Sequence, residues 1–138
     1  MDLTAHHYGI TVSDLDRAVE FYRDSLGLDV LAEFNVGGDA FATGVDVEGA
    51  SAVFAHLDAG DARIELVSYE PEGEQRLDTS LNEPGATHVG LEVDDLDAFY
   101  EDLPDDAETL SEPQTTESGT KICFVRDPED NLVELLEV

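Results

Sequence analysis

The feature that most constrains this chain is that it repeats itself. The segment His88-Val89-Gly90-Leu91-Glu92-Val93-Asp94-Asp95-Leu96-Asp97 falls 81 positions after His7-Tyr8-Gly9-Ile10-Thr11-Val12-Ser13-Asp14-Leu15-Asp16, and His, Gly, Val, Asp, Leu and Asp coincide. A second correspondence links Ile64-Glu65-Leu66 with Val133-Glu134-Leu135, each a glutamate between aliphatic residues in the last strand-like segment of its half. A chain of 138 residues built from two such halves is one domain made of two modules, neither of which has the bulk for a large core of its own.

Each half follows the same order of elements. Residues 5–12 have strand-like types, and Ser13-Asp14-Leu15-Asp16 reads as an S-x-x-D capping signature. Leu15, Ala18, Val19, Tyr22 and Leu26 then recur at helical spacing, and Gly27 stands where a left-handed residue would end the helix. Leu28 to Phe34, Ser51 to Leu57 and Ala62 to Tyr69 read as strands, the last two joined by the turn Asp58-Ala59-Gly60-Asp61. Glu108 to Leu110, Thr120 to Val125 and Asn131 to Val138 repeat the set in the second half. The expected fold is therefore α+β: two tandem βαβββ modules, about 1–69 and about 86–138, within a single domain over 1–138. A polar connector spans about 70–85, and Gly37 to Gly49 is expected to be a long loop, its Phe41, Val45 and Val47 able to fold over a pocket.

Alternation along a strand gives these modules a functional face. His7 shares a side with Gly9 and Thr11, while Tyr8, Ile10 and Val12 point to the other side, which must take the helix. His88 repeats this beside Gly90 and Glu92, and Glu65 and Glu134 project away from their aliphatic neighbours. Four inward polar side chains would be costly to bury unpartnered. A dication bound by two imidazoles and two carboxylates offsets that cost, so His7, Glu65, His88 and Glu134 are the expected metal ligands. With Cys123 the sole cysteine, neither a disulfide nor a thiolate zinc site is available. Nitrogen and oxygen donors suit one six-coordinate divalent ion, Ni, Co, Zn, Mn or Fe, with two positions left for water or substrate.

Charge narrows the partners. Six basic residues against 34 acidic ones give a formal charge of -28, which disfavours nucleic acid and anionic membrane surfaces. Self-repulsion on this scale is tolerable where concentrated salt shortens the Debye length, and a halophilic host is expected. No apolar run approaches membrane-spanning length, and Met1 leads into a strand-like segment without room for a signal peptide, so the cytoplasm is the expected compartment.

The motifs His7-x4-Val12-x-Asp14-Leu15, Phe21-Tyr22-Arg23-Asp24-x-Leu26-Gly27-Leu28, His88-x4-Val93 and Asp127-Pro128-Glu129-Asp130-Asn131-Leu132-Val133-Glu134 together resemble the vicinal-oxygen-chelate superfamily over nearly the whole chain. That resemblance implies paired modules forming an open, concave mixed-sheet barrel around a metal, with helices outside, His7, Glu65, His88 and Glu134 as ligands, and a homodimer. One departure is Asp130, where the family's turn usually has glycine; Asp tolerates left-handed geometry better than most residues. The activity implied is that of a glyoxalase I-like lyase or isomerase, which moves a proton next to a carbonyl through an ene-diolate on the metal, with Glu134 and Glu65 as the acid/base pair. Three alternatives share the fold: a methylmalonyl-CoA epimerase-like enzyme, a ring-cleaving dioxygenase and a non-catalytic drug- or small-molecule-binding protein. A fourth ligand, Glu65, argues against the dioxygenase, whose iron takes two histidines and one carboxylate. Basic residues that could bind an anionic thiol or acyl carrier are few, Lys121 and Arg126 among them. The sequence leaves open whether each site forms within one chain or across a dimer.

Other residues carry weaker signals. His6 should face away from His7 in a regular strand. If Leu57 pairs with Ala62, His56 opposes Arg63 and Phe54 opposes Glu65, making His56, Arg63 and Phe54 candidate substrate contacts. Cys123, between Ile122 and Phe124, reads as an inert buried thiol.

Overall fold

The structure, a computed structural model, describes residues 2–76 and 80–138. The chain divides into two compact units, Met1–Arg76 and Leu77–Val138, and the predicted 70–85 connector includes positions 77–79, outside the described residues. Each unit carries one mixed sheet, and among the described residues neither sheet closes on itself, in keeping with the α+β class.

In the first unit the elements are β1 (His7–Thr11), α1 (Leu15–Glu20), β2 (Val30–Val36), α2 (Asp39–Val45), β3 (Ser51–Asp58) and β4 (Arg63–Glu70), with strand order β1-β4-β3-β2. The first and last strands pair in parallel, Gly9 opposite Glu65, while β3 and β4 form an antiparallel hairpin. One face of the sheet buries Ala55, Leu57, Ile64 and Leu66 together with Ala18, Val19 and Tyr22 of the helical segment, as alternation and helical spacing predict. The other face is left to His7, Gly9, His56 and Glu65.

Several local details depart from expectation. The helix is capped by Asp14, whose carboxylate accepts from the Arg17 backbone N–H at 3.0 Å, and not by Ser13, whose hydroxyl donates to Glu72. Aspartate at that position is an equally good cap, and the more distant carboxylate draws the serine away. The helix then widens into a π-helical turn over Phe21–Ser25 before Gly27, at φ +82, reverses the chain as expected. The expected loop at 37–49 contains α2, a helix that ends at Asp46 in the left-handed region. Its Phe41 stacks near Tyr69 at 6.1 Å and meets Phe54 edge-on at 6.1 Å, so tertiary packing overrides the local glycines.

The second unit contains β5 (Val89–Glu92), α3 (Leu96–Asp102), β6 (Glu108–Thr109), β7 (Gln114–Thr115), β8 (Lys121–Arg126) and β9 (Leu132–Glu137). Its path is β5-β9-β8-β6, with β7 an additional short partner of β8 that alternation did not reveal. Here too the first and last strands run parallel, with Gly90 opposite Glu134. Asp95 caps α3 by accepting from Ala98 N–H at 3.1 Å, repeating Asp14 in the first unit. The β8–β9 turn holds Asp130 at φ +67, the left-handed conformation expected for it, and the buried Asp127 carboxylate accepts from the Glu129 and Asn131 backbone N–H groups.

Candidate metal centre

The parallel pairing of first and last strands brings each histidine beside a glutamate. In the first unit His7 Nε2 lies 3.6 Å from Glu65 Oε1, with side-chain exposures of 39% and 16%. In the second, His88 Nε2 lies 3.4 Å from Glu134 Oε1, with exposures of 38% and 21%. Each carboxylate sits close over a glycine: a Cβ on Gly9 would stand 3.8 Å from Glu65 Oε1, and one on Gly90 would stand 3.7 Å from Glu134 Oε1, ordinary contact distances. The carboxylates lie over glycine backbone in both cases.

These donor pairs fit a metal ion. Two ligands on adjacent corners of a coordination shell with bonds of about 2.1 Å are separated by roughly 3.0 Å at octahedral angles and roughly 3.4 Å at tetrahedral ones. The observed 3.6 and 3.4 Å are wide for a direct hydrogen bond and close to that ligand spacing. Each unit offers one imidazole and one carboxylate; among the described residues no group of three or more His, Cys, Asp and Glu side chains is gathered as a cluster able to hold an ion. Each pair by itself supplies two donors.

The surroundings of the pairs differ. Across the β3–β4 hairpin Glu65 stands opposite His56, which is buried at 6% exposure and places Nε2 2.7 Å from Glu65 Oε2. Arg63 NH1 lies 3.3 Å from the other ring nitrogen, Nδ1. A guanidinium can only donate, so Nδ1 accepts, the ring proton sits on Nε2, and His56 donates it to the glutamate. Phe34 meets His56 edge-on at 5.1 Å and stacks on Phe54 at 5.1 Å, extending this end of the sheet with an aromatic surface. In the second unit the residue opposite Glu134 is Phe124, whose ring packs edge-on against His88 at 5.1 Å. A groove of about 470 Å³ bordered by Val36, Ser51, Ala52, Tyr69 and Glu70 lies at the opposite end of β3 and β4 from this cluster.

The sequence pattern of the Glyoxalase/Bleomycin resistance protein/Dioxygenase superfamily matches residues 4–135. The chain belongs to that superfamily. Among relatives of this glyoxalase-superfamily protein, an Actinomyces sp. protein named 2-epi-5-epi-valiolone epimerase is 30% identical over 123 residues, which cover 85% of this chain and 67% of that protein. The crystal structure of a glyoxalase family protein from Bacillus cereus matches with a TM-score of 0.85 at 26% identity, covering 99% of this chain and 95% of the other. The trypanothione-dependent glyoxalase I of Leishmania major matches with a TM-score of 0.71 at 26% identity, covering 99% and 87%. Members of the glyoxalase superfamily are often enzymes, and its glyoxalases use divalent metals.

Two sequence expectations need correction within this superfamily member. The β3–β4 turn was expected to pair Leu57 with Ala62, but Leu57 pairs with Ile64, so His56 opposes Glu65 and Phe54 opposes Val67. The cause is the turn itself: Gly60 takes φ +87, its N–H is held by the Asp58 carboxylate at 2.9 Å, and Ala59 bonds Ala62, which displaces the register by two. That shift preserves the face, so His56, Phe54, Arg63 and Glu65 still share one side. His6 also departs from expectation. It precedes β1, where strict alternation does not apply, and its Nδ1 lies 2.8 Å from His7 Nδ1. Cys123 is buried as predicted, its Sγ 3.4 Å from the Ser111 carbonyl, and burial pushes its thiol pKa up.

Proposed function

We propose that this chain is a divalent-metal-dependent enzyme that moves a proton next to a carbonyl, a glyoxalase I-like lyase or isomerase. The observation that carries this reading is the duplicated His–Glu pair, at 3.6 Å in one unit and 3.4 Å in the other, each over a glycine of the adjoining strand. His7, Glu65, His88 and Glu134 would hold one Ni, Co, Zn, Mn or Fe ion. When bound, such an ion supplies Lewis acidity toward a carbonyl and a neighbouring oxygen. Glu134 and Glu65 do the proton work, one carboxylate oxygen taking the proton from the carbon beside the carbonyl and returning it to an adjacent position. Phe34 and Phe54 give this end of the face an aromatic lining beside His56, and a polar substrate group would meet the N–H groups of Arg63 that are not spent on His56.

A second reading, epimerisation, has a specific observation in its favour: the Actinomyces relative at 30% identity is named an epimerase. The same two carboxylates serve it if one removes the proton and the other returns it to the opposite face. A coenzyme A substrate is less well supported. Lys121 is paired with Asp97 at 2.7 Å, which leaves Arg126, bordering a groove of about 400 Å³ with Leu110 and Leu132, as the cation for an anionic tail. The dioxygenase reading is opposed by the presence of two glutamates in matched positions. The drug-binding reading predicts metal-independent binding.

Metal analysis of the purified protein, followed by assays of methylglyoxal–thiol adducts and of ketone substrates in deuterated water, tests the proposal. Bound divalent metal, loss of turnover in chelator and recovery on metal return are the expected results; undiminished turnover of metal-stripped protein would overturn it. Deuterium incorporated from solvent at a carbon of inverted configuration separates the epimerase from the lyase. We also place the protein in a saline cytoplasm as a homodimer, on the strength of its charge of -28 and its family. Among the described residues no helix is long and apolar enough to cross a membrane. Sedimentation and thermal unfolding in dilute and molar salt check both points, a stable monomer in dilute buffer being the contrary outcome.

A further inference from the structure

We infer that His56, oriented by Arg63, is a positioning residue that clamps one oxygen of Glu65 and so fixes which oxygen faces His7. This rests on the metal reading above and deepens it. Glu65 has two oxygens with separate tasks: Oε2 lies 2.7 Å from His56 Nε2, and Oε1 lies 3.6 Å from His7 Nε2. A carboxylate that rotates freely must lose that freedom when it binds an ion, whereas Glu65 is already held by a ring buried at 6% exposure.

The ring is itself constrained. Arg63 NH1 at 3.3 Å occupies Nδ1, Phe34 packs edge-on at 5.1 Å, and the His7 ring stacks at 6.0 Å. The chain therefore runs Arg63 to His56 to Glu65, each member donating to the next. The second unit lacks this arrangement. Phe124 occupies the position opposite Glu134 and has no donor to offer, and among the described residues the nearest donor group to the Glu134 carboxylate is His88 Nε2 at 3.4 Å, wide for a hydrogen bond. The two His–Glu pairs have matched spacing and unmatched preorganisation.

Replacing His56 with the residue that the second unit uses, His56→Phe, tests this, with His56→Gln as the variant that keeps a donor. Arg63→Met is added because it frees His56 Nδ1 without altering the buried ring, and it serves if the phenylalanine variant fails to fold. Metal affinity is read by chelator competition and ligand geometry by the visible absorption of the Co(II)-loaded protein. His56→Phe is expected to weaken metal binding by about 10- to 100-fold and to change the Co(II) spectrum, with His56→Gln restoring most of both and Arg63→Met losing about 3- to 10-fold. Wild-type affinity and spectrum in His56→Phe would overturn the clamp while leaving the metal reading intact. Equal losses in the phenylalanine and glutamine variants would assign His56 to packing alone. If folded phenylalanine protein is not obtained, unchanged affinity in Arg63→Met overturns the clamp. A wild-type chain that binds no divalent ion would sink the metal reading and the clamp together.

Discussion

The two units repeat their backbone relationships closely and their chemistry only in part. In both, the first strand lies parallel to the last, a glycine faces the key glutamate, and an aspartate caps the following helix through a backbone N–H. The residue across the hairpin differs: histidine opposes Glu65 and phenylalanine opposes Glu134. Strand pairing and capping are the same in the two units, whereas the cross-strand neighbour is not. The two units therefore differ at positions 56 and 124, while the His–Glu spacing stays nearly the same at 3.6 and 3.4 Å.

The largest expected effect comes from the glutamates. Glu134→Gln and Glu65→Gln should each reduce turnover by about 10²- to 10⁴-fold, the range for removing a proton-transfer group. They should differ in metal retention, which a chelator titration reads: Glu65→Gln disrupts the preorganised pair and loses the ion more readily. Identical metal loss would return the two units to equivalence. Next come the caps, where Asp14→Ala and Asp95→Ala should each cost about 1 kcal/mol in denaturant unfolding, and unequal costs would break the structural half of the comparison. A smaller gain is expected at the hairpin turns. The first unit uses Gly60 at φ +87 and the second Asp130 at φ +67, so Asp130→Gly should raise stability by up to about 1 kcal/mol by relieving left-handed strain. A lower melting temperature would show that the aspartate side chain holds the turn. The smallest effect is expected of Gly9→Ala: its new Cβ would meet Glu65 Oε1 at 3.8 Å, an ordinary contact, so stability should change by no more than about 0.5 kcal/mol.

Much of this arrangement is legible in the sequence because it depends on period two and on repetition. Alternation alone puts His7 and Gly9 on one side and Ile10 on the other, and the repeat transfers that placement to His88 and Gly90. The glutamates follow from their aliphatic flanks. What alternation cannot give is register, since a shift of two residues leaves every side chain on the same face. The His56–Glu65 contact was therefore hidden, although both residues were placed on the correct side. The signal that could have revealed it was Gly60, whose positive φ moves the centre of the turn. His6 escapes alternation because it precedes the strand, and the rule holds only for strand interiors. The α2 helix is not legible locally because Gly38 and Gly44 obscure a segment whose order depends on Phe41 meeting Phe54 and Tyr69, partners distant in sequence.

The parallel pairing of β1 with β4 has a consequence for how the protein comes into being. His7 lies in the first strand of its unit and Glu65 in the closing one, so the two meet only after α1, β2, α2 and β3 have been made. A chain stopped before β4 lacks the carboxylate that stands beside His7. The pair is a product of the finished sheet, and its contact reports that the sheet is complete.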